Sequence, residues 1–301
     1  MSETINIVEE IDDVDAIIRK NNYKLTADKI KQILSKVLND PSQSAKRWVW
    51  ELMQNAKDVK NKFDKVSIEI ELSENELVFR HNGNPFKMSN ITGLIQQVSS
   101  KDSANSDEEV TGKFGTGFIA THLLSDIIDI KGIVLHKDTY RDFEISLDRS
   151  GRTSEDLLPK IEAALDKIRK IDTDQSFTVR DNYETFRVES DYDTSFSYPL
   201  VNDEKRKAAK DGIVDLVNTL PLTLVNISKI KEVKIIDRIN SEETEYKKEE
   251  IYNDGVIRKT HIKLSKAETR SFITYYTEEL SLSVEVNNFE EFKEVLDIKG
   301  G

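Results

Sequence analysis

The sequence predicts an α/β fold, because segments with helical spacing and segments with strand spacing both recur along the chain. Three observations support this. Apolar residues follow helical spacing through most of the first 61 residues, and residues 66–79 alternate as paired strands do. Downstream of residue 228, most of the apolar segments have the pattern of strands.

Helices are predicted first. Residues 12–39 predict two helices, with Thr26 as the N-cap of the second, and residues 40–42 (Asp-Pro-Ser) interrupt the pattern. A third helix is predicted over residues 44–61. Further helices are predicted near residues 89–98, 154–171, 204–219 and 289–296.

The strand patterns begin with a hairpin, whose arms are residues 66–72 and 77–79. Residues 253–255 (Asn-Asp-Gly) have the composition of a second hairpin turn. The pattern places a domain boundary near residue 228, and the unit after it does not close, so a fragment of a longer protein is expected. Other strands are predicted at residues 127–135, 142–147, 177–179, 186–189, 233–236, 259–264, 271–276 and 282–286.

Composition excludes several classes of protein. The length of 301 residues is enough for two domains. Apolar residues make up 37% of the chain and recur all along it, which argues against disorder. A net charge of −12 argues against a protein that mainly coats nucleic acid or anionic lipid. The lack of cysteine excludes disulfides, thiolate zinc sites and cysteine nucleophiles. With no apolar run near the ~20 residues that span a bilayer and no signal peptide, a soluble cytoplasmic protein is expected.

The predicted helix over residues 44–61 carries an acid and an amide beside its apolar face. At about 100° per residue, Glu51, Asn55 and Asp58 form a narrow polar strip along one margin of that face. The amide oxygen of Asn55 can ligate a hard cation such as Mg²⁺, and the carboxylate of Glu51 can orient or deprotonate a water. An ordinary amphipathic helix explains the same pattern when it is taken alone.

A glycine-rich segment over residues 111–118 is the second candidate. Its three glycines allow close approach of a ligand, and the apolar run from Phe118 opens a helix whose free N–H groups favour an anion such as phosphate. It has neither the ending of a Walker A motif nor a surrounding βαβ unit. A flexible glycine turn is the alternative. The polar residues 99–109 before it predict a mobile loop.

The third candidate is the turn at residues 81–86, directly after a predicted strand. Asn82 and Gly83 can adopt left-handed backbone angles, which would leave a polar side chain at the strand end. A plain turn is the simpler interpretation of this motif alone. The other histidines, His122, His136 and His261, are scattered singly and do not suggest a metal site.

In their order and spacing, these blocks resemble the GHKL ATPases, the group of gyrase B, heat-shock protein 90, histidine kinases and MutL. The run ELMQNAKD at residues 51–58 and the turn HNGNPF are most similar to the sacsin-type, heat-shock-protein-90-like branch. The resemblance covers about residues 25–228. It implies a Bergerat-type two-layer α/β sandwich over residues 1–228, a mixed sheet with helices on one face. Residues 229–301 would be the start of a transducer-like α+β domain.

The resemblance also implies a Mg·ATP site. Glu51 would activate the attacking water, Asn55 would ligate Mg²⁺, and Asp58 would support the nucleotide from the same helix. The phosphates would be held by the glycine-rich segment, Gly112, Lys113, Phe114, Gly115, Thr116, Gly117 and Phe118. Residues 99–111 would be the ATP lid, with Ser100 and Lys101 as phosphate contacts.

Adenine recognition departs from the family pattern. Most members have an aspartate that accepts the adenine amino hydrogen, and His81 stands at that position, with Pro85 at the second glycine. A neutral imidazole nitrogen or the amide oxygen of Asn82, next to Gly83, could accept the same bond. Thr194 resembles the family's strand threonine near the adenine. The sequence thus favours phosphate recognition more than adenine recognition.

The function expected from the resemblance is Mg·ATP binding with slow hydrolysis that drives a conformational switch in a multidomain machine. Its partners would be missing C-terminal domains, other proteins or a second copy in an ATP-dependent homodimer, with neither membrane nor nucleic acid expected. A non-hydrolysing nucleotide-binding scaffold, in which Glu51 is structural, is the alternative. A histidine-kinase-like phosphotransferase is less favoured, because no helical hairpin with a phospho-accepting histidine precedes the pattern.

Overall fold

The computed structural model describes residues 2–39, 41–59, 61–97, 117–265, 268–277, 280–287 and 289, and has the α/β architecture that the sequence predicts. The helices are α1 (Ser2–Asn39), α2 (Pro41–Lys57), α3 (Met88–Gln96), α4 (Ser154–Arg169), α5 (Tyr183–Phe186) and α6 (Asp203–Asn226). The strands are β1 (Val66–Leu72), β2 (Glu76–His81), β3 (Phe86–Lys87), β4 (Ile127–His136), β5 (Thr139–Asp148), β6 (Thr194–Pro199), β7 (Ile230–Asp237), β8 (Glu242–Asn253), β9 (Ile257–Leu264), β10 (Thr269–Tyr276) and β11 (Ser281–Val286). Helix α2 packs on strand β1, α4 on β5, and α6 on the C-terminal strands β8 to β11.

Within the described residues, these strands form a single mixed sheet. Its order is β11-β10-β9-β8-β7-β1-β2-β6-β4-β3, with β5 paired to β4. The pairs β1/β7 and β3/β4 are parallel, and the other pairs are antiparallel. The predicted domain boundary near residue 228 falls between α6 and β7. The sheet continues across it, because β7 pairs with β1 in the middle of the sheet.

The N-terminal region differs from its prediction, since one helix, α1, replaces the two expected over residues 12–39. The hydroxyl of Thr26 does not cap a helix; it donates to the carbonyl oxygen of Asn22, 3.0 Å away, inside α1. No glycine or proline lies between residues 12 and 39, so nothing in the backbone forces a break. Helix α6 likewise runs to Asn226, past its predicted end, with Pro221 inside it.

Two predicted strands are wrong. Residues 177–179 contribute only a bridge between Val179 and Arg141. Residues 186–189 are the last residue of the short helix α5 and the three that follow it, and they form no strand. The side chain of Arg187 holds this segment, because its buried guanidinium donates to the carbonyl oxygens of Asn82 and Gly83. Strand β8 was not predicted, since its charged residues hide the alternation. The helix predicted over residues 289–296 lies largely outside the described residues.

The core side of α2 is built around Trp48. Its side chain is fully buried, and its indole Nε1 donates to the carbonyl oxygen of Ala208 in α6, 3.1 Å away. The ring lies against Gly212, where an added Cβ would be 2.3 Å from Nε1. Helices α2 and α6 can therefore approach this closely only because residue 212 has no side chain.

Candidate functional site

The second half of α2 holds the predicted polar strip at the edge of the core. Glu51 and Asn55 lie one turn apart on α2 and are both half-buried. Asp58 follows the last residue of α2, its N–H bonded to the carbonyl oxygen of Gln54. Its side chain is 38% exposed and lies 3.7 Å from Lys57 Nζ. Glu51 and Asn55 thus face the interior more closely than Asp58 does.

Of the three glycines in the glycine-rich segment, the structure describes Gly117. This residue lies directly against Glu51. A Cβ added to Gly117 would be 2.0 Å from Glu51 Oε2 and 2.5 Å from its carboxyl carbon. Phe118 then begins a 3₁₀ helix, Phe118–Leu123, and its buried ring packs on Phe196 with 5.7 Å between ring centroids. Two motifs that are far apart in sequence meet at this point.

Arg47 orients the Glu51 carboxylate from one turn earlier on α2. Its Nη2 lies 3.2 Å from Glu51 Oε1, while Oε2 lies over Gly117. Because the Arg47 side chain is 62% exposed, the pair stabilises the fold little, by about 0–1 kcal/mol. Arg47 was not among the predicted site residues. The i,i+4 spacing of an arginine and a glutamate was the signal that could have identified it.

The amide nitrogen of Asn55, Nδ2, is buried and makes no hydrogen bond among the described residues. A buried donor left in this state typically costs about 1–3 kcal/mol. The amide therefore lies where ligand oxygens would satisfy its N–H groups and where its oxygen could reach a hard cation. No group of three or more histidine, aspartate or glutamate side chains among the described residues is arranged to hold a metal ion.

The turn after β2 is built around His81, whose ring is buried. The N–H of Gly83 donates to His81 Nδ1 over 3.0 Å, so the proton of the neutral ring resides on Nε2. Burial, with the positive charge of Arg187 nearby, lowers the pKa of His81 to about 3. His81 is therefore neutral at neutral pH. Its remaining nitrogen is a donor, whereas the amino group of adenine requires an acceptor.

Asn82 is fully buried, and both its amide oxygen and its amide nitrogen are hydrogen-bonded within the protein. Its Oδ1 accepts from the N–H of Ser67 at 2.8 Å and from Asn61 Nδ2 at 3.2 Å, while its Nδ2 donates to the carbonyl oxygen of Glu189 at 2.7 Å. Both lone pairs of the amide oxygen are in use, which leaves no acceptor for a base. Asn82 thus joins β1, the end of α2 and the segment after α5.

Gly83 and Thr194 flank this turn. A Cβ at Gly83 would lie 2.8 Å from His81 Nδ1 and 3.0 Å from the side chain of Val59, so the turn packs tightly against the end of α2. Thr194, at the start of β6, is buried and lies directly opposite His81 in the β2/β6 register. His81 and Thr194, both predicted to lie near the base, are therefore neighbours in the sheet. Their roles toward a ligand stay predictions.

The other predicted contacts cannot be placed. The lid over residues 99–111, with Ser100 and Lys101, lies outside the described residues. The same holds for most of the glycine-rich segment, Gly112, Lys113, Phe114, Gly115 and Thr116. The site that the structure describes therefore consists of one face of α2, the turn after β2 and the start of the 3₁₀ helix.

Two buried histidines should make the fold sensitive to mild acid. The pKa of His122 is also lowered to about 3, chiefly by burial and further by the charge of Arg149. Burial and the charge of Arg187 have the same effect on the pKa of His81. Between pH 6.5 and 3 the unfolded chain binds protons that the folded chain does not, so stability is complete above about pH 6.5 and falls as the pH falls. At pH 5 we expect a loss of about 2 kcal/mol per histidine.

Urea unfolding at pH 7.5 and 5.0 measures this loss. Replacing His81 and His122 with glutamine should flatten the pH dependence between these values, and His261→Gln, a partly buried position on β9, is the matched control. An unchanged urea midpoint in the wild-type protein at the two pH values would contradict the expectation.

No protein-family model matches the chain, and a search of curated proteins finds no match to it. Among the helices of the described residues, none is both long and apolar enough to cross a membrane.

Proposed function

We propose that this chain binds Mg·ATP and hydrolyses it slowly, as a conformational switch. The observation that supports this most directly is the Glu51 carboxylate lying where a side chain at residue 117 would begin. A glycine-rich segment that leads into a helix is suited to phosphate, and an acid at that end is suited to activating water. The resemblance of residues 25–228 to GHKL ATPases supports the same assignment.

In this proposal, each residue at the junction has one task. Gly117 leaves room for the acid to lie against the backbone, since any larger residue would occupy the position of the Glu51 carboxylate. Arg47 holds one carboxylate oxygen, and the other is left to accept a proton from water. Asn55, one turn along α2, would hold Mg²⁺ through its amide oxygen, with phosphates and waters as the other ligands. When bound, the ion would neutralise charge on the phosphates.

The base would be recognised differently from the family pattern. His81 Nε2–H offers a donor where the common aspartate offers an acceptor, and Asn82 is occupied by internal bonds. We therefore propose that the turn contacts a ring nitrogen of the base and not its amino group. A comparison of ATP with purine riboside triphosphate, which lacks the amino group, tests this: similar affinity supports it, and a large loss for the analogue contradicts it.

A non-hydrolysing nucleotide-binding scaffold is the second candidate. The ion pair between Arg47 and Glu51 favours it, because that contact already gives the acid a structural role on α2. In either case, the parts that respond to nucleotide would be further domains, a partner protein or a second copy of the chain.

Calorimetric titration with a non-hydrolysable ATP analogue, with and without Mg²⁺, tests nucleotide binding. We expect micromolar to millimolar binding that Mg²⁺ strengthens, and a loss of at least about tenfold in Asn55→Ala, because the metal bridges protein and phosphates. Gln54→Ala, an exposed position on the outer face of α2, is the matched control. Absence of heat at millimolar analogue would refute the proposed function.

A further inference from the structure

A second cleft lies between the C-terminal half of α1 and the turn after β5. Its volume is about 280 Å³, below that of most sites for drug-sized ligands. The residues that line it include Lys31, His122, Asp126, Arg149, Gly151 and Arg152. None of the residues assigned to the nucleotide site lines it.

Two buried polar atoms of the cleft residues have no hydrogen-bond partner among the described residues. One is Nε2 of His122, whose ring is 2% exposed, and the other is Nε of Arg149, which is 4% exposed. Nδ1 of His122 lies 3.0 Å from the carbonyl oxygen of Ser125, a partner that can only accept. The proton of the neutral ring is therefore on Nδ1, and Nε2 offers a lone pair. Residues that line the cleft thus carry one unused acceptor and one unused donor.

The charge of the cleft favours an anion. Three of its lining residues are cationic, Lys31, Arg149 and Arg152, and one, Asp126, is a carboxylate. The Asp126 carboxylate lies 3.4 Å from Lys205 Nζ, so its charge is already countered from α6. No carboxylate of the described residues forms an ion pair with any of the three cations. Buried arginine without a carboxylate partner is well suited to an oxyanion.

The shape of the turn holds these groups together. Gly151 has φ +119°, a backbone angle that L-residues rarely adopt, and its carbonyl oxygen accepts from Lys31 Nζ across the cleft. The backbone N–H of Arg149 donates to the carbonyl oxygen of Asp126 at 2.8 Å, which joins the turn to the 3₁₀ helix region. The cations therefore come from two elements, α1 and the turn after β5, that are fixed to each other.

We propose that this cleft binds a small oxyanion that carries a proton, namely hydrogen phosphate or a small phosphomonoester in its monoprotonated form. Lys31, Arg149 and Arg152 would contact the anionic oxygens, and His122 Nε2 would accept the hydrogen bond of the P–OH group. Sulfate has the same shape but no proton at neutral pH, so it would leave the histidine lone pair unused. A full nucleotide exceeds the volume of the cleft.

The test is calorimetric titration of the full chain at pH 7.0 and constant ionic strength with inorganic phosphate, glycerol phosphate and sulfate. We expect phosphate to bind and sulfate to bind at least about tenfold more weakly, the effect of one charge-assisted hydrogen bond. If glycerol phosphate also binds, the ligand class includes monoesters, and if inorganic phosphate alone binds, the site takes the free ion. No phosphate binding, or equal affinity for sulfate, would overturn the proposal.

Variants locate the site. Arg152→Gln changes an exposed side chain and should weaken phosphate at least about tenfold, and Lys31→Gln should act in the same direction. Lys210→Gln on the exposed side of α6 is the control for overall charge and should leave binding unchanged. Asn55→Ala should also leave it unchanged. If phosphate affinity survives Arg152→Gln and Lys31→Gln, or is lost in Asn55→Ala, the anion binds elsewhere and the cleft assignment fails.

Discussion

Glu51→Ala should lower the steady-state rate of ATP hydrolysis by at least about 100-fold, the lower range for loss of a general base. The affinity for a non-hydrolysable ATP analogue should change little, because the carboxylate acts on water and not on the nucleotide. The open space left over Gly117 is not expected to weaken phosphate binding, since the 3₁₀ helix starts at the same place. Phosphate release measures the rate, and calorimetry measures the affinity.

Two further variants make this test specific. Glu51→Gln keeps the shape of the side chain against Gly117 and removes only the base, so it should match Glu51→Ala in rate. Arg47→Gln removes the orienting contact but keeps the base, and a smaller loss is expected. Hydrolysis at the wild-type rate in both Glu51 variants would show that Glu51 is not the base, whereas nucleotide binding without hydrolysis in the wild-type protein would favour the non-hydrolysing scaffold.

Gly212→Ala should lower the free energy of unfolding by about 3 kcal/mol or more, within the range for severe overpacking of a core. Alanine in place of glycine inside a helix ordinarily stabilises by about 1 kcal/mol. Here the new methyl group would lie within 2.3–2.7 Å of three indole atoms of Trp48, which is fully buried and cannot move without separating α2 from α6. The sign of the effect is therefore reversed.

Val214→Ala is the matched control, because it raises helix propensity at an exposed position of the same helix. Urea unfolding should show a small change for this variant and a large loss for Gly212→Ala. Trp48→Phe should recover part of that loss when combined with Gly212→Ala, since phenylalanine lacks the atoms that clash. A stabilised Gly212→Ala protein would mean that α2 and α6 are not packed as described.

Elements with a clear repeat were predicted well, and elements fixed by tertiary contacts were not. The β1/β2 hairpin and α4 follow strict apolar spacing, and their positions were nearly right. Strand β8 is mostly charged and partly exposed, and it is held by backbone pairing between β7 and β9, for which the sequence carries no periodic signal. The strand predicted at Arg187 was wrong, because the conformation of this segment depends on one buried guanidinium bonded to a distant turn.

The candidate site could be predicted in part for the same reason. The polar strip on α2 follows from helical geometry, so the adjacency of Glu51 and Asn55 was accessible from the sequence. That Gly117 touches Glu51 depends on how α2 packs against the 3₁₀ helix, which no local pattern encodes. The internal bonding of Asn82 depends on Asn61 and Ser67, whose roles only the packed structure reveals.

The parallel pairing of β1 with β7 has a consequence for how the chain is made. β1 ends at Leu72, but its partner ends at Asp237, so more than half of the chain must be synthesised before the centre of the sheet can close. A ribosome adding about 5–20 residues per second would leave this edge of β1 unpaired for roughly 10 s or longer. Unpaired strand edges invite intermolecular pairing, so the nascent chain should need protection in that interval. Truncations that end before residue 230 should aggregate, whereas those that extend past residue 264 should remain soluble.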